Sequence, residues 1–260
     1  MDRYMKANRS SWDARVPVHA GSRFYNVEGF LKGGSSLLPL ELAEVGPVKG
    51  KRLLHLQCHF GLDTLSWARK GAVVTGADFS PAAIAKAKEL SARAGVPGDF
   101  VLSDVYSLPR RLKGKFDIVY ASYGVFCWIG DLRRWFRTAA HFLKPGGFVY
   151  AADDHPFAGI FDDDGHRPVI DYFRENPLHA PPALTYTDGS KKKMPATYEW
   201  WYTISDLLTA VKSAGLRLEH FREFPFAAWR RFPDMKRGGD GLWRRPGGKL
   251  PLVFSLKAQK

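Results

Sequence analysis

Short apolar runs alternate with amphipathic stretches through the middle of this chain. Arg52–Leu56 is a compact apolar run suited to a buried strand, and Leu62–Lys70 then sets Leu62, Leu65 and Ala68 at helical spacing. Ala72–Ala77 is a second apolar, β-branched run with Asp78 at its end. Pro81–Ala94 reads as a helix, with Ser80 as N-cap and Pro81 in the first position. Phe100–Leu102, Phe116–Ala121 and Phe148–Ala152 predict three further strands. Leu132–Leu143 is an amphipathic helix that Lys144-Pro145-Gly146-Gly147 stops. Thr203–Gly215 predicts a helix capped by Ser205, followed by strands over Leu216–Phe221 and Leu250–Ala258. Strands alternating with helices imply βαβ units and a parallel sheet. Ligands bind at the carboxyl ends of such strands, and Gln57–Gly61 and Asp78–Ser80 both fall there.

Those two turns suit a nucleoside. Gly61 lets the backbone approach a ligand and opens a helix whose first N–H groups favour electron-rich partners. Asp78 can accept two hydrogen bonds from a ribose diol, and Phe79 offers an apolar face to a purine. A nicotinamide dinucleotide would want G-x-G-x-x-G to seat its pyrophosphate. The turn here is Gln57-Cys58-His59-Phe60-Gly61, with one glycine and bulky neighbours. That disfavours a nicotinamide-dependent oxidoreductase and leaves room for a ligand without phosphate.

Residues 52–88 resemble the cofactor-binding core of class I S-adenosylmethionine-dependent methyltransferases. HLQCHFGLDTLS with GADFSP resembles a bacterial small-molecule, methyltransferase type 11-like branch of that superfamily, and KPGG before a strand is similar too. The superfamily opens with an acidic residue and G-x-G-x-G. This chain has His55 at the acidic position, Gln57 and His59 at the first two glycine positions, and Gly61 at the third. The resemblance implies a Rossmann-like α/β fold: a seven-stranded, mostly parallel sheet with helices on both faces and an antiparallel C-terminal edge strand. It implies S-adenosyl-L-methionine as cofactor and S-adenosyl-L-homocysteine as product. Asp78 would hold the ribose, with Ser80 in the same turn, Phe79 and Val105 the adenine, and Asp104 the adenine amine. His55, Gln57, Cys58, His59, Gly61 and Ser122 would lie nearest the methionine portion. Tyr25 and Phe30 are expected close to the cofactor. His155, beyond the fifth strand, is the candidate general base, since its ordinary pKa suits taking a proton from a hydroxyl or amine; Tyr123 lies beside the expected sulfonium.

The resemblance divides the chain into an N-terminal helical lid (1–50), a cofactor-binding core (51–156), a substrate-recognition insertion (157–198) and the rest of the same sheet (199–260). With 260 residues, 45% of them hydrophobic, one substantial core is expected. No apolar run reaches a membrane span, and the first 17 residues lack a signal peptide's apolar stretch. Two cysteines argue against a disulfide framework and for a reducing cytoplasm. The net charge of +13 sits mainly in residues 1–150, with 22 basic against 12 acidic residues. The basic residues come in small groups, which suits a solvated surface better than a nucleic-acid interface. The [Asn/Asp]-Pro-Pro-[Tyr/Phe] motif of methyltransferases acting on base amines is also missing. Asp162-Asp163-Asp164 with His166 matches no calcium loop, and His55, Cys58 and His59 lack a fourth ligand, so no metal is expected. Aromatic clusters at Tyr198–Tyr202 and at Trp229, Phe232 and Trp243 suit either a planar substrate's pocket or edge packing. The expected partner is a small aromatic or heterocyclic molecule, methylated on oxygen or nitrogen, with an RNA- or nucleic-acid-modifying methyltransferase that uses the basic surface as the alternative.

Overall fold

A computed structural model describes residues 2–187 and 191–260. The N-terminal segment forms α1 (Arg3–Ala20), α2 (Val27–Leu31) and α3 (Pro39–Val45). The alternating region follows as β1 (Arg52–Leu56), α4 (Leu62–Arg69), β2 (Val73–Asp78), α5 (Pro81–Ala94), β3 (Asp99–Leu102), α6 (Leu108–Arg111), β4 (Phe116–Ser122), α7 (Leu132–Phe142) and β5 (Leu143–Asp154). Beyond it lie α8 (Pro156–Gly159), a hairpin of β6 (Leu178–Ala180) and β7 (Thr197–Glu199), then α9 (Ile204–Ser213) and β8 (Arg217–Phe224). Three two-residue strands, β9 (Phe226–Ala227), β10 (Lys236–Arg237) and β11 (Trp243–Arg244), precede the last strand, β12 (Val253–Gln259). The insertion read from the sequence includes residues 188–190, which lie outside the described residues.

The seven-stranded sheet has the order β3-β2-β1-β4-β5-β12-β8. The first five strands are parallel, and β12 slots between β5 and β8, antiparallel to both. The antiparallel pair therefore closes one end of the sheet. Period-two alternation divides the core between the two faces. Val119, Ala121, Val149 and Ala151 pack with α7 and α9, whereas Tyr120, Tyr150 and Ala152 pack with Trp67 and the α3 region. The Tyr120 hydroxyl donates to Glu41 Oε1 at 2.6 Å and that of Tyr150 to Glu44 Oε2 at 3.0 Å, tying α3 to the sheet. Glu41 is 1% exposed, and burial raises its pKa to about 8.

Local chemistry sets the boundaries. Ser80 caps α5 as expected, its hydroxyl accepting from Ala83 N at 3.0 Å. The cap of α9 is Thr203 and not Ser205: Thr203 Oγ1 accepts from Asp206 N, and the Asp206 carboxylate accepts from Thr203 N. The Lys144–Gly147 turn is absorbed into β5, where the pairing with β4 shifts register between Phe116 and Ile118. Among the described residues, no helix is long and apolar enough to cross a membrane.

Candidate active site

A cavity of about 780 Å³ opens at the carboxyl ends of β3, β2, β1, β4 and β5. Five strands at ordinary spacing give it a floor of roughly 19 Å, long enough for an extended nucleoside with an amino-acid tail. Of the residues singled out from the sequence, Tyr25, Phe30, His55, Gln57, Cys58, His59, Gly61, Asp78, Phe79, Asp104, Val105, Ser122 and Tyr123 line it. Ser80 and His155 do not.

The β1–α4 turn keeps its shape without its glycines. Gln57, His59 and Gly61 have φ of 56°, 50° and 80°, so all three occupy the left-handed region that glycine adopts freely. The two side chains are anchored in compensation. Gln57 donates through Nε2 to Val125 O at 3.0 Å and accepts from Trp135 Nε1 at 2.8 Å. His59 Nε2 lies 3.1 Å from His19 Nδ1, and His19 Nε2 lies 2.7 Å from Thr185 Oγ1. Burial lowers the pKa of both rings, that of His19 to about 3, so the pair is neutral. One imidazole therefore donates to the other, joining α1, the turn and the insertion. Gly61 itself has no room for a side chain, since a Cβ would fall 2.7 Å from the Phe100 ring.

Asp78, at the tip of β2, accepts from His59 N and from Ser80 N, each at 2.9 Å. Each oxygen keeps a lone pair for a ligand. Burial raises this carboxyl to about 7, against the pull of those backbone donors. Asp104 accepts from Tyr106 N and Ser107 N through Oδ1, so it caps a turn as well as lining the cavity. His55 is 3% exposed, with Nδ1 held 2.8 Å from Thr64 Oγ1, and burial lowers it to about 3.

The end of β5 corrects one expectation. Alternation sends Asp153 to one face, where it accepts from the backbone N–H groups of Gly124, Val125 and Phe126. Asp154 turns the other way and lines the cavity. His155 has left the strand: it caps α8, its Nδ1 accepting from Phe157 N at 3.1 Å, and its Nε2 lies 2.7 Å from Glu223 Oε1. Both ring nitrogens are engaged away from the cavity. Asp154, in contrast, has no hydrogen bond to its carboxylate among the described residues, and burial together with neighbouring Asp153 raises its pKa to about 7.

Asp63, Trp12, Trp128 and Tyr186 also form the wall and were not singled out as site residues by sequence reasoning. Asp63 accepts from the hydroxyls of Ser36 and Ser122. Trp12, Trp128 and Tyr186 add aromatic surface, the Tyr186 hydroxyl lying 2.5 Å from that of Tyr25. Trp229 and Trp243 line the cavity, whereas Trp200 packs against Gly130 and Trp201 donates to Pro156 O. Phe232 is buried in the core. Asp162 accepts from the backbone N–H groups of His166 and Arg167, closing its own turn.

The sheet order and the cavity at the strand ends give an α/β fold of the class I methyltransferase type. Residues 53–147 match the family described as Methyltransferase domain. The ubiquinone biosynthesis O-methyltransferase of Escherichia coli O127:H6 is 32% identical over 135 residues, 50% of this chain and 55% of that protein. The chain thus spans about half the length of the curated relatives it matches. A solved S-adenosylmethionine-dependent methyltransferase from Mesorhizobium loti superposes with a TM-score of 0.56 at 20% identity, covering 88% of this chain and all of that one. The magnesium protoporphyrin IX methyltransferase of Synechocystis PCC 6803, solved with bound S-adenosylhomocysteine, gives 0.51 at 12% identity over 96% and 99% of the two chains. Residues 53–147 thus resemble a methyltransferase domain, and the fold around them is the one these S-adenosylmethionine-dependent methyltransferases share.

Proposed function

We propose that this protein transfers a methyl group from S-adenosylmethionine to a hydroxyl or amine of a small aromatic or heterocyclic metabolite in the cytoplasm. One observation carries the reading: a single cavity is lined both by Asp78, Phe79, Asp104 and Val105 and by Ser122, Tyr123, Trp12, Tyr186, Trp229, Trp243 and Asp154. Its size and aromatic walls suit a cofactor and a planar acceptor side by side. The cofactor is cationic at its sulfonium and ammonium. Although the chain carries +13, the wall around the expected cofactor bears Asp63, Asp78 and Asp104, which fit that charge.

The cofactor supplies an activated methyl; the protein aligns the acceptor, excludes water and handles a proton. Asp78 holds the ribose diol, Phe79 and Val105 flank the adenine, and Asp104 takes the adenine amine. Asp154 is the proton acceptor. Its carboxylate has no hydrogen bond or ion pair among the described residues, and burial beside Asp153 raises its pKa above the ordinary carboxylate range, which suits a proton acceptor. Tyr123, next to Ser122, borders the same space. Helix α1 and residues 157–198 act as lid and acceptor wall, a reading that the His59–His19–Thr185 chain and the Tyr25–Tyr186 contact support.

Methyl transfer from labelled S-adenosylmethionine to a panel of phenols, heterocyclic alcohols and aromatic amines tests this. Wild type is expected to methylate members of the panel, with Asp154→Asn losing more than tenfold in turnover and the pH dependence near 7, yet binding S-adenosylhomocysteine normally. Wild-type turnover in Asp154→Asn would remove the base, and transfer to none of the panel would remove the acceptor class.

A further inference from the structure

We propose that Asp63, rather than the residue at position 55, receives the α-ammonium of the cofactor's methionine portion. This assignment rests on the cofactor lying in the cavity described above. Related methyltransferases resemble this chain in the β1–α4 turn but open it with an acidic residue where His55 stands. His55 is neutral, buried and bonded to Thr64, so that position carries no negative charge. Gln57 cannot supply that charge either, because its carboxamide is neutral and turned to Val125 and Trp135.

Asp63 supplies the missing charge from the next element. It stands in the first turn of α4 and faces the cavity. The Ser36 hydroxyl donates to Oδ1 at 2.5 Å and the Ser122 hydroxyl to Oδ2 at 2.9 Å. Those two bonds fix the carboxylate plane and leave one lone pair on each oxygen. Both donors are neutral, and among the described residues no Lys, Arg or His forms an ion pair with Asp63. A carboxylate withdrawn from water without a counter-charge is poorly compensated, and an ammonium is the group that completes it. Burial pushes this carboxyl up while the two hydroxyls hold it down. Ser122 ends β4, the neighbour of β1 in the sheet, so the carboxylate lies beside the turn that faces the methionine portion. Ser36 lies between α2 and α3, and its backbone N–H donates to Ser66 Oγ at 3.1 Å. Ammonium recognition is therefore joined to the N-terminal segment.

Calorimetric titration with S-adenosylhomocysteine and with its deaminated analogue, in which hydrogen replaces the α-ammonium, tests the assignment. Wild type is expected to prefer S-adenosylhomocysteine at least tenfold, about 1.4 kcal/mol. Asp63→Asn should bring the two affinities within about twofold by weakening only the ammonium-bearing ligand, a charge-assisted contact being lost. Equal affinities in wild type, or a preference that survives in Asp63→Asn, would overturn the proposal. The double variant Ser36→Ala, Ser122→Ala keeps the carboxylate but frees it, and the preference should fall about threefold or more as orientation is lost. An unchanged preference there would also overturn it, should Asp63→Asn not fold. Failure of wild type to bind either ligand would instead refute the cofactor site on which the assignment rests.

Discussion

Asp153 holds the wall of the cavity, and replacing it by alanine is expected to cost a large share of the stability. Its carboxylate accepts from the N–H groups of Gly124 at 2.5 Å, of Val125 and Phe126 at 2.9 Å each, and of Asp154 at 2.8 Å. The side chain is 4% exposed, and Val125 and Phe126 are buried, so water replaces few of these contacts. A buried donor left unpaired costs about 1–3 kcal/mol. With two donors stranded and the others partly solvated, Asp153→Ala should lose about 3–6 kcal/mol, against a total of roughly 5–15 kcal/mol for a domain. Asp153→Asn keeps one accepting oxygen but turns an NH2 toward backbone donors, and about 1–3 kcal/mol is expected. Urea unfolding followed by tryptophan fluorescence and circular dichroism gives both values. The same loop carries Tyr123 at φ 39° and Gly124 at φ 70°, so affinity for S-adenosylhomocysteine should fall along with stability. An Asp153→Ala protein within 1 kcal/mol of wild type would refute the reasoning, because the four contacts would then count for almost nothing.

Two other outcomes follow from the cavity's surroundings. Gly61→Ala puts a methyl 2.7 Å from the Phe100 ring at φ 80°, and the strain should cost about 1–3 kcal/mol; a thermal melt showing no loss would contradict this. Glu41 has a folded pKa of about 8 against an ordinary 4.5, so the native state keeps a proton that the unfolded chain releases. Stability should therefore fall as pH rises from about 5 to 8, with Asp78 and Asp154 acting in the same direction. Glu41→Gln should flatten that slope in urea midpoints measured across the range, and an unchanged slope would assign it to other groups.

The sheet was legible because buried parallel strands are short apolar runs and their tips carry the ligand. Asp78 and Asp104 were singled out that way, and both line the cavity. Helix α1 gave no such signal, because the residues it buries include Asn8, Ser11 and His19, which bond Tyr198, Pro195 and His59 instead of forming an apolar stripe. Sequence pattern also marked the end of β5 but not its facing. One residue separates Asp154, on the cavity wall, from His155, which leaves the strand to cap α8. The sequence shows only that the β1–α4 turn lacks glycines at 57 and 59. Its left-handed conformation survives, held by contacts to Val125, Trp135 and His19 that are remote in sequence. Asp63 was visible only as a helix-start aspartate, since Ser36 and Ser122 reach it through the fold.

The most direct test of the account is titration of S-adenosylhomocysteine into wild type, Asp78→Ala and Asp154→Asn. Micromolar binding is expected in wild type and Asp154→Asn, with Asp78→Ala weaker by tenfold or more, about 1.4 kcal/mol. Equal affinity in all three would move the cofactor away from the tip of β2, and no binding in any would contradict the site altogether.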